Sequence, residues 1–225
     1  MVLIPEGAFL MGSEDGPDNE KPLHRVWVDS FLIGKFSVTN REYKIFVEES
    51  GFQEPPFWSE EMFSHPEKPV AGASWHDAVT YCDWLSRRTG HRFRLPTEAE
   101  WERAARGGRE GKKYPWGDEP PWERPYPGYD PDTGGPQRVG LNEPNGFGLY
   151  DMSEGVHEWC GDFHDPGYYL RSPERNPQGA LAGSRRASRG GSWRHRIKFS
   201  RSAARSSLPP TFRYADYGFR VAMSL

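Results

Sequence analysis

The sequence predicts an α+β fold with few helices, small sheets and much irregular structure. Three segments carry clear helix-start signals, whereas the apolar runs suited to strands are short. Glycine and proline supply 25 and 21 of the 225 residues, which favours many turns and long ordered loops. Aromatic residues make up 14% of the chain and apolar residues only 35%. We therefore expect a core filled by large aromatic rings.

Each predicted helix begins at a polar residue and ends before a glycine. A hydroxyl followed three residues later by a carboxylate can satisfy the free N–H groups of the first turn, and glycine readily adopts the left-handed conformation that ends a helix. Apolar residues at helical spacing lie between these signals. The start pairs are Thr39 with Glu42, Ser74 with Asp77 and Thr97 with Glu100, and the glycines are Gly51, Gly90 and Gly107.

The strand signals are concentrated near the two ends of the chain. Short apolar or alternating segments predict strands at residues 1–4, 8–11, 25–33, 93–95 and 218–222. The last of these segments could pair with the first. Between Gly107 and Asp216 the pattern indicates loops and short strands.

The chain reads as one domain over residues 1–225, because it contains no repeat and no linker-like change in composition. It has no apolar run of about 18 residues, so we expect no membrane span. No basic-then-apolar leader is visible at the N-terminus, and we expect a cytoplasmic protein.

Charge is distributed unevenly although the net charge is only −3. No acid occurs between Glu174 and Asp216, and ten basic residues lie in that stretch. One interpretation is a surface for a polyanion. The other is that these side chains pair with distant acids and stack on aromatic rings. The ten residues are Arg175, Arg185, Arg186, Arg189, Arg194, Arg196, Lys198, Arg201, Arg205 and Arg213.

Several short motifs follow one another in a specific order along nearly the whole chain. They are PVAGASWHDA (69–78), RLPTEAEWE (94–102), YPWGD (114–118), PNGFGLYD (144–151), HEW (157–159), RGGSW (189–193), RSA (201–203) and GFR (218–220). With these motifs the chain resembles the formylglycine-generating enzyme (sulfatase-modifying factor) family. The resemblance implies a variant of the C-type lectin-like fold, loop-rich with few helices and small antiparallel sheets.

The family includes a copper-dependent oxidase that converts a sulfatase cysteine to formylglycine, together with accessory and ligand-binding domains. Family membership therefore does not decide function, which depends on the site. In the oxidase two cysteines lie between the Gly-Gly-Ser and Ala-Ala-Arg motifs. At the corresponding positions this chain has His195 and Ile197. Copper(I) prefers soft thiolate ligands, so we expect no copper site of the familiar kind.

The chain has two cysteines, Cys82 and Cys160. Cys82 lies on the apolar face of the second predicted helix, and Cys160 follows Trp159 in a presumed strand. Both fit small buried residues. A redox pair or metal site would require the two thiols to meet, which the sequence does not reveal.

A calcium site is implied by the resemblance of residues 151–158 to a calcium loop of the family. By that resemblance Glu158 and Asp151 would supply carboxylates, and Glu154 and Val156 would supply backbone carbonyls. Such hard oxygen ligands suit calcium. A second family site would fall in residues 123–134, where Asp130 or Asp132 could serve.

A ligand groove is implied near the Gly-Gly-Ser-Trp motif. Its candidate residues are Trp193, Arg194, His195, Arg205 and His157. His157 and His195 are also the candidate catalytic residues, because histidine titrates near neutral pH and can ligate metals. Both could equally be ordinary hydrogen-bonding residues.

Three functions are open at this point. The first is a divergent family member that acts as a calcium-stabilised binding or accessory module for a peptide, a protein or a small polar ligand. The second is a protein-maturing oxidoreductase with a different metal site. The third is a polyanion binder that uses the arginine-rich stretch, although no nucleic-acid-binding motif is present.

Overall fold

The computed structural model describes residues 1–120, 134–194 and 200–225. In these ranges the helices are α1 (Asn40–Ser50), α2 (Glu61–Ser64), α3 (Trp75–Thr89) and α4 (Glu98–Arg106). The strands are β1 (Val2–Ile4), β2 (Gly7–Met11), β3 (His24–Val28), β4 (Phe31–Ile33), β5 (Phe93–Arg94), β6 (His157–Phe163), β7 (Arg186–Arg189), β8 (Ser206–Leu208), β9 (Tyr217–Phe219) and β10 (Ala222–Ser224). None of the described helices is long and apolar enough to cross a membrane.

The three predicted helices are confirmed. α1, α3 and α4 each begin with a capping box in which the hydroxyl and the carboxylate satisfy backbone N–H groups reciprocally. Each ends at a glycine in the left-handed conformation. α2 was not predicted, because a helix of four residues is too short to show a helical spacing of apolar residues.

Three sheets carry the strands. β1, β4, β10 and β5 form an antiparallel sheet in that order, and β2 pairs with β3. The third sheet has the order β8, β7, β6, β9, in which β6 and β9 run parallel. The prediction of one strand over residues 25–33 is wrong. The chain turns between Val28 and Phe31, so β3 and β4 belong to different sheets.

The predicted terminal strand over residues 218–222 is also wrong, since the chain changes sheets within it. β9 pairs with β6, and β10 pairs with β4 and β5 rather than with β1. Arg220 lies at the change and is completely buried. Its guanidinium donates to the carbonyls of Gly34, Lys35 and Tyr150 and to the carboxylate of Glu158. These bonds hold the backbone between two sheets.

The core is only partly aromatic. One cluster surrounds Trp101 under the first two sheets and consists mainly of aliphatic side chains, so the expected aromatic core is not found there. A second cluster lies between α1, α3 and the third sheet, and in it the stacked rings of Tyr43 and Tyr81 have centroids 5.7 Å apart. Phe46 packs edge-on against Tyr81 at 5.5 Å. Rings in such arrangements contribute about 0.5–1.5 kcal/mol per pair beyond their buried area.

α4 is buried on every side and carries charges into the interior. Glu98 accepts hydrogen bonds from Arg205 at 2.7 and 2.9 Å and from Arg189 at 3.1 Å. Glu102 is bound by Arg189 and, at 2.6 Å, by Arg106. Burial favours the neutral form of Glu98, but Arg205 and Arg189 outweigh it and lower its pKa to about 2. These side chains, Glu98, Glu102, Arg106, Arg189 and Arg205, are called the α4 charge network below.

We expect Arg189→Met to lower the free energy of unfolding by about 3–5 kcal/mol, because it leaves two buried carboxylates short of a cation. Arg175→Met is the matched control, since the ion pair of Arg175 with Asp29 is largely exposed. Its loss should be at most about 1 kcal/mol. Urea unfolding of both variants measures the difference, and equal losses would contradict the role given to the α4 charge network.

Candidate functional site

Asp216 joins the elements around the expected groove. The residue is 3% exposed, and its carboxylate accepts the hydroxyl hydrogen of Ser192 at 3.1 Å. The guanidinium of Arg194 lies 3.8 Å from the same carboxylate. Its backbone carbonyl accepts the N–H of His157 at 2.8 Å. Asp216 therefore ties the Gly-Gly-Ser-Trp loop to the start of β6.

Trp193 and Arg194 form one edge of this site. The indole N–H of Trp193 donates to the carbonyl of Ala215 at 3.4 Å, and its ring packs against Phe63 with centroids 6.0 Å apart. The Arg194 guanidinium lies 5.6 Å from the Trp193 ring centre, and its side chain is 51% exposed. This pair offers a flat apolar surface beside a positive charge.

A path of rings leads from the interior of the site to its surface. His157 is buried and stacks on Tyr217 with centroids 4.8 Å apart. Tyr217 contacts Tyr214 at 6.4 Å, and Tyr214 contacts Phe212 at 5.7 Å. Tyr214 and Phe212 are 46% and 43% exposed. Exposed aromatic side chains next to an arginine are typical of binding surfaces.

Arg205 does not join this site. Its guanidinium is bound to Glu98 and to the carbonyl of Asn19, and it lies 4.1 Å from the ring centre of Tyr169. It is buried and belongs to the α4 charge network, and its role in the groove stays a prediction. His195 and Ile197 lie outside the described residues, as do Asp130 and Asp132.

Asp216 and Ser192 were not among the predicted site residues. Two features of the sequence could have identified these residues. Asp216 is the first acid after the basic stretch, and Ser192 belongs to the Gly-Gly-Ser motif. Their contact depends on a loop that folds back over the start of β9, which the spacing of residues does not reveal.

The expected calcium residues are placed in two different environments. Glu158 is buried, and its carboxylate accepts hydrogen bonds from Ser37, Trp101 and Arg220 at 2.6, 2.6 and 2.9 Å. The Arg220 guanidinium therefore already supplies the positive charge beside Glu158, and hydrogen bonds take up both carboxylate oxygens. The arrangement does not fit a calcium ion held by Glu158. Val156 contributes a buried side chain to a small apolar cluster.

Asp151 and Glu154 both line a narrow cavity next to Ser37 and Asn142. Asp151 accepts the N–H of Gly140 at 2.7 Å and an amide hydrogen of Asn142 at 3.2 Å. Glu154 accepts the Ser200 hydroxyl at 2.6 Å, while its second oxygen has no partner among the described residues. Burial raises the pKa of Glu154 to about 8. The described residues contain no cluster of three or more histidine, cysteine or acidic side chains arranged to hold a metal.

The two cysteines are buried in different core clusters and are not bonded to each other. Burial raises the pKa of Cys82 to about 12 and that of Cys160 well above its ordinary value. A thiol of this kind is a poor nucleophile and a poor metal ligand, because the thiolate is the reactive form. Both behave as small apolar core residues.

The basic stretch is largely folded into the protein. Of its ten residues, Arg196 and Lys198 lie outside the part of the chain that is described. Arg186 lies between the rings of Trp75 and Phe163, at 3.8 and 3.5 Å from their centres. Arg185 bonds to Ser207, and the others face acids: Arg175 with Asp29, Arg189 and Arg205 with Glu98, Arg194 with Asp216, Arg201 with Glu20 and Arg213 with Asp77. This arrangement favours the internal-pairing interpretation over a polyanion surface.

Comparison with known proteins identifies the family of this chain. A family model described as the sulfatase-modifying factor enzyme 1-like domain matches residues 1–225. The formylglycine-generating enzyme of Thermomonospora curvata is 32% identical, with 99% of this chain and 92% of that protein covered. The Mus musculus protein described as inactive C-alpha-formylglycine-generating enzyme 2 is 35% identical, with 74% of this chain and 70% of that protein covered.

The solved structure of PvdO from Pseudomonas aeruginosa superposes with a TM-score of 0.85 at 28% identity, and 99% of this chain and 93% of that chain are covered. This similarity confirms the loop-rich, C-type lectin-like fold that the motifs imply. The short strands, the few helices and the long irregular segments are those of the expected architecture.

Proposed function

Since the chain belongs to the sulfatase-modifying factor enzyme 1-like family, we propose that it is a divergent member that binds a peptide, a protein or a small polar ligand and does not act as a two-cysteine copper oxidase. The observation that carries this proposal is the position of its two thiols. Both are buried, and they lie in separate core clusters.

The sequence supports the same conclusion at the copper positions. The segment between the Gly-Gly-Ser and Ala-Ala-Arg motifs contains no cysteine. Soft thiolate ligands are what hold copper(I) in proteins, and neither His195 nor Ile197 is a thiol. A relative whose description calls it inactive shares 35% of aligned residues with this chain. The description of this relative therefore supports the proposed loss of the reaction.

The binding role is supported by the composition of the surface around Asp216. Trp193, Phe212 and Tyr214 supply apolar rings, and Arg194 supplies an exposed guanidinium. Tryptophan, tyrosine and arginine are the side chains that dominate binding energy at interfaces. Phe212 and Tyr214 belong to a loop that the buried His157 and Tyr217 anchor, an arrangement that keeps a binding surface rigid.

A conversion assay tests the loss of oxidase activity. The chain is incubated with copper, oxygen and a sulfatase-type peptide containing cysteine, and the products are analysed by mass spectrometry. We expect no formylglycine, while the Thermomonospora curvata enzyme converts the peptide in parallel. Conversion by this chain would contradict the proposal and favour the alternative of an oxidoreductase with a different metal site.

Selection from a random peptide library tests the binding role. We expect enriched peptides to bind the native chain and to bind Trp193→Ala and Arg194→Ala at least tenfold more weakly, since both changes remove the edge of the groove. Leu181→Ala is the matched control, because Leu181 is a fully exposed apolar residue elsewhere. Failure to enrich any peptide, or equal binding by all variants, would contradict a peptide-binding groove at Trp193.

Calcium is proposed to stabilise the loop that contains Asp151. The Glu158 carboxylate is bound by the Arg220 guanidinium. The remaining oxygen ligands for calcium are therefore the Asp151 carboxylate and the backbone carbonyls of Glu154 and Val156. Asp151 and Glu154 border one cavity. Backbone at Asp151 and Glu154 adopts positive φ angles of 54° and 72°, and a bound cation would offset the resulting strain. Hard oxygen donors of this type suit calcium.

We expect saturating calcium to raise the melting temperature by about 5–10 °C, the shift that about 2.7 kcal/mol of linkage produces in a chain of this size. Chelation should reverse it, and Asp151→Asn should abolish it. Asp15→Asn, a change in the exposed N-terminal loop, should leave the shift intact. Scanning fluorimetry measures all four conditions, and an unchanged melting temperature with calcium would exclude this site.

We also propose a cytoplasmic location for the protein.

A further inference from the structure

A second cavity lies away from the groove, between α3, β5 and β6. Its volume is about 250 Å³. Trp75, Val79 and Cys82 on α3 form one wall, and Phe93 and Leu95 form the other. Asp83 is exposed at the rim, and Asp162 lies at the inner end. The cavity thus has apolar walls and an acidic group at its inner end.

Asp162 is 4% exposed. One of its carboxyl oxygens accepts the N–H of Glu98 at 2.8 Å, which caps the start of α4. Among the described residues no arginine or lysine forms an ion pair with it. Three other buried acids of α4 and β6 each face a cation: Glu98 faces Arg205, Glu102 faces Arg189 and Glu158 faces Arg220. Asp162 differs from these three, and it borders the cavity.

A buried carboxyl without a cation is costly in its ionised form. An ammonium or guanidinium group brought into the cavity would remove that cost, since charge-assisted hydrogen bonds are about twice as strong as neutral ones. The aromatic face of Trp75 already attracts the Arg186 cation from one side. The apolar walls of the cavity would contact a small apolar group attached to such a cation.

We propose that this cavity is a binding site for a small organic amine, with Asp162 as the counter-ion of its ammonium group and Trp75, Val79 and Phe93 as the walls around its apolar part. Arg94 also lines the cavity, but its guanidinium is held by Glu100 in two hydrogen bonds at 2.6 and 2.7 Å. It is therefore not free to pair with Asp162.

The electrostatics around Asp162 predict a pH dependence of amine binding. Burial raises its pKa to about 8, Glu98 and Glu100 act in the same direction, and Arg205 opposes them. Arg94 and Arg186 also exert an attraction on the carboxylate. At pH 6 the carboxyl is mostly protonated, and an ammonium ligand must expel that proton. At pH 8.5 it is mostly ionised while an alkylamine is still charged, so affinity should rise.

Titration calorimetry on the full chain tests the proposal with phenethylamine as the probe and 2-phenylethanol as its uncharged counterpart. We expect phenethylamine to bind at least tenfold more tightly than 2-phenylethanol at pH 8.5. We also expect its affinity to fall about tenfold or more at pH 6, with no such change for the alcohol. Equal affinities of the two probes, or no measurable binding of phenethylamine, would overturn the proposal.

Three variants locate the site. Asp162→Asn keeps an acceptor for the Glu98 N–H and should remove the preference for the amine. Val79→Trp fills the cavity and should abolish binding even though Asp162 is untouched. Asp83→Asn is the matched control at the rim and should bind as the native chain does. Loss of binding in Asp83→Asn with full binding in Asp162→Asn would overturn the assignment of the counter-ion.

Discussion

The buried pairing of α4 carboxylates with arginines from distant parts of the chain is the interaction on which the rest of the fold depends. Glu98 and Glu102 lie on one helix, whereas Arg189 comes from β7 and Arg205 from the residue before β8. Charges in the interior are stable only when their partners are placed well enough to offset desolvation. The network therefore fixes where β7, β8 and α4 lie relative to one another in a chain whose loops supply little regular packing.

A second buried pair links the sheets to each other and to the candidate site. Arg220 binds Glu158 on β6 and the carbonyls of three residues, from the β4 end and the loop before β6. The same strand begins with His157, whose N–H is held by Asp216. The position of β6, and with it that of His157, is thus set by a buried charge pair. It also explains why Glu158 is unsuited to calcium, since the arginine supplies the positive charge.

The sequence was most informative where structure is decided locally. Capping pairs and terminating glycines gave α1, α3 and α4, because each signal acts within one turn of helix. The terminal strand was predicted wrongly, and the burial of Arg205 was not predicted, for a common reason. Whether an arginine is buried, and which acid it pairs with, can depend on residues about a hundred positions away in the sequence. Arg205 and Glu98 are such a pair. Asp216 was missed because its importance arises from the folding back of a loop.

The residues that hold the fold and the residues proposed to form the groove are largely different sets. The α4 charge network and Arg220 are enclosed by the core, whereas Trp193, Arg194, Phe212 and Tyr214 lie at or near the surface. Substitution at Trp193 or Arg194 therefore leaves the interior charge pairs intact. Family membership therefore determines the fold here, whereas the function depends on the residues at the site.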